Sequence, residues 1–84
     1  MRYVYLLSDY DEYGAEHVEA TLEPLRLPTM LKHREFYDEA AMIELHALMS
    51  KDPSSLVGDY GHKLQRVWGG IMLHVVPLAE EGSI

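Results

Sequence analysis

Cysteine is absent from the 84 residues, and with it go a disulfide framework, thiolate zinc ligation and a cysteine nucleophile. Basic residues are scarce: seven Lys and Arg stand against fourteen Asp and Glu, for a net charge of −7. A chain of that charge repels phosphate backbones, which argues against direct nucleic-acid binding and favours a partner with a basic surface. No apolar run approaches the roughly 20 residues that span a bilayer. No basic segment followed by an apolar one opens the chain in the manner of a signal peptide. A reducing cytoplasm is the expected location. A Gly-rich phosphate loop and a nucleophile elbow are both missing, as are internal repeats and low-complexity stretches. No cofactor is implied.

What remains is a hydrophobic share of 48%, that of an ordinary globular domain. The length gives one domain near the lower end of what folds without metal or disulfide staples. Residues 1–79 are expected to form a single α+β unit, with 80–84 as a polar tail. The acidity is local. Residues 1–23 carry six acids against Arg2, a net of −5, while residues 24–52 and 53–84 each carry −1.

The apolar alternation over 2–8 predicts a strand, with Tyr3, Tyr5 and Leu7 on one face and Val4 and Leu6 on the other. Two apolar faces point to a central position in a sheet. Ser8-Asp9-Tyr10-Asp11-Glu12-Tyr13-Gly14 then reads as an acidic, tyrosine-bearing turn, with Gly14 supplying backbone freedom. His17 to Glu23 predicts the return strand of a hairpin, Val18, Ala20 and Leu22 inward and His17, Glu19, Thr21 and Glu23 toward water. From Met30 to Met49 the period is helical, along Phe36, Ala40, Ile43 and Ala47 with Tyr37, Ala41 and Leu48 beside them. A break near His33 would divide it into a short helix and a longer one. Arg34 falls on the polar face. Asp59-Tyr60-Gly61 reads as a turn, Leu64 to Trp68 as a short strand, and Gly69-Gly70 as a hairpin turn into the strand Ile71 to Val76. The expected fold is a small antiparallel sheet of three or four strands, in ββαβ or ββαββ order, with one main helix on one face.

Asp9-x-Asp11-x-Tyr13-Gly14 shares a fragment with the EF-hand calcium loop, which needs oxygen ligands at positions 1, 3 and 5 and a bidentate Glu at 12. Tyr13 and Ala20 occupy positions 5 and 12, so the pattern fails where ligands matter most. Asp9 and Asp11 at the end of a central strand suit a hydrated divalent cation set against a phosphate, the chemistry of a metal-dependent phosphoesterase. Small CRISPR-associated nucleases resemble this chain in opening with an apolar strand that ends in aspartate, but they differ in strand order. No basic patch here awaits a nucleic acid. The histidines at 17, 33, 46, 62 and 74 include no pair at metal-ligand spacing on one helix face. His74, among apolar neighbours in a strand, suits a backbone carbonyl partner.

The stronger signal is interfacial. Tyr10 and Tyr13 stand among Asp9, Asp11 and Glu12, a composition that grips Arg and Lys on a partner. The preferred reading is a non-enzymatic inhibitor or regulator that occludes a basic surface of a larger protein. Asp9, Tyr10, Asp11, Glu12, Tyr13, Glu16, Glu19 and Glu23 would form its contact face, the carboxylates mimicking nucleic-acid charge. In size, acidity and lack of cysteine the chain resembles phage-encoded anti-defence proteins, anti-CRISPR inhibitors among them. Two alternatives are the Asp9/Asp11 phosphoesterase and a subunit that self-associates through its Tyr3/Tyr5 sheet face into a homodimer.

Overall fold

A computed structural model describes residues 2–34, 37–58, 61–64 and 70–79. Residues 65–68 of the expected strand Leu64 to Trp68, Asp59 and Tyr60 of the expected turn, Gly69, Phe36 of the expected helical row and the tail at 80–84 lie outside the described residues.

The fold is α+β: a small antiparallel sheet with helices on one face. Strands β1 (Arg2–Tyr10) and β2 (Glu16–Thr21) form the hairpin. A 3-10 turn (Pro24–Arg26) leads into helices α1 (Leu27–Lys32), α2 (Glu39–Met49) and α3 (Pro53–Leu56). The chain then returns through β3 (His62–Lys63) and β4 (Met72–Leu78). Spatial order is β2-β1-β4-β3, with every neighbouring pair antiparallel. Three strands carry the sheet and β3 is a two-residue addition. Pro77 is tolerated in β4 because β3 pairs only with Leu73 and Met72, so no rung on that side needs its missing N–H.

One face of the sheet makes the core. Tyr5 and Leu7 of β1 and Leu73 and Val75 of β4 are buried against Leu27 and Leu31 of α1, Ala41 and Leu45 of α2, and Leu56 of α3. Each fully buried leucine contributes about 1.5–3 kcal/mol. Ile71, Leu73 and Val75 share the covered face, as their alternation predicts. The same burial corrects the self-association expectation: Tyr5 and the half-buried Tyr3 lie under the helices, so their face is not free to meet a second copy.

The helical stretch is two helices, not one. Lys32 ends α1, and the Asp38 carboxylate starts α2 afresh by accepting the Ala41 N–H at 2.8 Å, with Asp38 itself in the extended region. The buried stripe also differs from the expected one. Ile43 is 70% exposed and Ala40 and Ala47 face water, while Ala41 and Leu45 are buried with Met42, Leu48 and Met49 packed beside them. Apolar residues occur around most of α2, so periodicity alone does not select a side. The stripe with two leucines and two methionines buries more area than one isoleucine with two alanines.

The facing of β2 is the reverse of the expected one. Register pairs Tyr5 with Thr21, Leu7 with Glu19 and Asp9 with His17, placing Thr21, Glu19 and His17 on the helix-covered side. Val18 and Ala20 pair with Ser8 and Leu6 and join the open face. The hairpin turn fixes this register. Because the side-chain period of a strand is two, the turn decides the facing of all six residues at once.

Candidate functional site

The hairpin end is built by one carboxylate. Asp11 donates its N–H to the Ala15 carbonyl at 2.9 Å and accepts the Gly14 N–H on its own carbonyl at 3.0 Å. Gly14 holds φ +83, the left-handed value that closes a three-residue loop over Glu12, Tyr13 and Gly14. Asp11 Oδ1 accepts the backbone N–H groups of Tyr13 and Ala15, each at 2.9 Å, and Oδ2 meets His17 Nε2 at 2.9 Å. Both carboxylate oxygens are thus engaged by the loop and by the start of β2.

These bonds hold the Asp11 carboxyl below the ordinary aspartate range. The His17 contact is the largest cause, followed by the Ala15 and Tyr13 amides. A carboxyl-detected NMR titration is expected to give Asp11 a depressed midpoint. His17→Ala raises that midpoint part of the way, since two amides still donate. A depressed folded-state value stabilises the hairpin above the ordinary aspartate pKa, and this contribution is lost as pH falls through the depressed one. A midpoint equal to that of a free aspartate would remove the latch.

A second lock sits one strand deeper. Arg34, just after α1, is 9% exposed and reaches down to the β1–β2 seam. Its Nη1 donates to Asp9 Oδ1 at 2.7 Å and to the His17 carbonyl at 3.2 Å; Nη2 donates to the Leu7 carbonyl at 2.8 Å. Glu19 Oε1 lies 3.1 Å from Nη2. One guanidinium thus ties both strands of the hairpin to the helical layer and neutralises the inward-facing Asp9.

Asp9 and Tyr10 are therefore the last residues of β1 rather than the start of a turn. Asp9 is buried; Tyr10 is 61% exposed and Tyr13 is 87% exposed. Glu12, Glu16, Glu19 and Glu23 are exposed, but they do not form one face. Glu16 pairs with Tyr10 on the open side and Glu19 lies on the covered side beside Arg34, while Glu23 sits beyond the far end of β2. The structure gathers Asp9, Asp11, Glu16, Glu19, His17 and Arg34 around a cleft of about 470 Å³, with His33 at its wall.

Arg34 is the residue that sequence reading missed. The available signal was parity. Asp9 alternates with Tyr5 and Leu7, so a strand prolonged by two residues turns it toward the core, where a carboxylate requires a cation. The pair offered to a divalent cation is also divided, Asp9 committed to Arg34 and Asp11 to its own loop. Among the described residues no group of three or more His, Asp or Glu is arranged to hold a metal ion. Among them, too, no helix is long and apolar enough to cross a membrane.

No protein-family model, curated protein or solved structure matches this chain.

Proposed function

We propose that this chain is a non-enzymatic binding protein, an inhibitor or regulator of the phage anti-defence or anti-CRISPR type, that uses its β1–β2 hairpin to occlude a basic surface of a larger protein. The observation that carries the reading is a rigid tip bearing exposed aromatics. Tyr10 and Tyr13 stand open to solvent on a loop whose backbone is closed by the Asp11 bonds, beside Glu12 and Glu16. A tip ordered before contact loses little conformational entropy on binding, which favours affinity from a small area. Asp9 and Glu19, both held by Arg34, belong to the scaffold in this reading, and the contact charges are Glu12 and Glu16.

The test compares two charge reversals. Glu12→Lys with Glu16→Lys is expected to weaken partner binding by more than about tenfold, chiefly through slower association at low salt. Glu80→Lys with Glu81→Lys serves as the control with the same change in net charge. The partner is first captured from host lysate and identified by mass spectrometry, then titrated with each variant. Equal losses from the two pairs would sink the reading.

A further inference from the structure

We propose that the outer edge of β2 pairs with β2 of a second copy of this chain, antiparallel about a two-fold axis at Val18. β2 is the end strand of the sheet, and among the described residues it pairs only with β1. Hydrogen-bonded and non-hydrogen-bonded pairs alternate along an antiparallel ladder. Counting from the Asp11 N–H to Ala15 carbonyl bond, the Asp9/His17, Leu7/Glu19 and Tyr5/Thr21 pairs bond to each other. The contacts of Arg34 with the Leu7 and His17 carbonyls agree, since both carbonyls then lie in the β1–β2 seam. Glu16, Val18 and Ala20 are left directing their N–H and C=O groups outward.

Charge selects the occupant and its register. With the axis at Val18, the valine pairs with its own copy and Glu16 lies opposite Ala20, so every outward backbone group finds a partner. His17 and Glu19, which within one copy also meet Asp11 and Arg34, then fall opposite each other on both sides of the axis. These are non-hydrogen-bonded pairs, in which side chains approach most closely. An axis at His17 or Glu19 would set like residues against each other. β2 carries no lysine or proline, two devices that blunt an edge, and its two glutamates avoid each other in this register. On the open face, Val18, which is 54% exposed, meets its counterpart beside the partly apolar row from Leu6, and Ala20 lies opposite Glu16 of the second copy. One strand edge is a small interface, and a net charge of −7 on each copy opposes it, so the dimer is reversible and concentration-dependent.

Sedimentation of the full chain over a hundredfold range of concentration, upward from the micromolar, tests this. The average mass should rise from 9.6 kDa toward twice that value. Val18→Lys sets like charges opposite each other at the axis, and Val18→Pro removes an outward N–H while sparing the inner ladder. Each should weaken self-association by more than about tenfold with circular dichroism unchanged. If the proline variant fails to fold, the lysine variant decides, because Val18 is exposed. Amide exchange of Val18 and Ala20 should slow only as the dimer forms. A wild-type monomer throughout the range, or a dimer untouched by Val18→Lys, would overturn the proposal. So would protection of those amides at dilution, which would mean that the chain covers its own edge. The proposal shares Glu16 with the partner reading, but the readouts separate the two: Val18→Lys is scored by self-association of the chain alone, and it leaves Tyr10, Tyr13 and Glu12 in place.

Discussion

Arg34→Ala is expected to destabilise the protein by about 3–5 kcal/mol, the cost of stranding a buried charge. The Arg34 and Asp9 side chains are 6% and 11% exposed and 2.7 Å apart, so water replaces little of what is lost. Two strand carbonyls lose a charged donor at the same time. The Glu19 contact adds little, since its side chain is half in solvent. A domain of this size holds roughly 4–13 kcal/mol in total, so the variant should be largely unfolded at modest denaturant. Arg34→Lys should fall between the two, because an ammonium cannot fork to Asp9 and both carbonyls. Arg34→Met with Asp9→Leu should recover much of the loss, since an apolar pair strands no charge. Urea denaturation measures all four proteins. An Arg34→Ala unfolding free energy within about 0.5 kcal/mol of wild type would show that the guanidinium holds nothing.

The lock also marks where sequence stops being sufficient. β1, the hairpin and the facing of Ile71, Leu73 and Val75 were legible because strand alternation and a Gly-bearing loop are local signals. A break near His33 was among the expectations, but the Asp38 cap that starts α2 was not singled out in the sequence. The facing of β2 was not legible. His17 to Glu23 alternates cleanly, but alternation gives two sets of residues without saying which one the helices cover. A cap on one face by α1 and α2 is a tertiary choice. It turned Glu19 toward Arg34 and the His17 ring toward Asp11, and left Val18 and Ala20 in the open. The buried side of α2 was hidden likewise, by apolar residues on nearly every face. Of the eight acidic and aromatic residues expected at the contact face, Asp9 changed character most. It was read as a loop carboxylate and proves to be a strand residue held by a cation twenty-five positions away.

Removing both exposed rings, Tyr10→Ala with Tyr13→Ala, is expected to weaken binding to the captured partner by about a hundredfold or more. Hot-spot aromatics each cost about 2 kcal/mol or more on truncation, and about 1.4 kcal/mol is a factor of ten. The substitutions leave net charge untouched, so they separate anchoring from attraction. Charge reversal at Glu12 and Glu16 acts on the encounter and should lower the association rate, most steeply at low ionic strength. Loss of the rings acts after contact and should raise the dissociation rate. Stability should change little, because Tyr13 lies on a loop fixed by Asp11 and Tyr10 turns its ring to solvent. A Tyr10→Phe, Tyr13→Phe protein keeps the apolar area and loses only the hydroxyls, about 0.5–1.5 kcal/mol for each hydrogen bond they make. Retention of the wild-type dissociation rate by the double alanine variant would place the contact elsewhere and leave the tip as a structural cap on the hairpin.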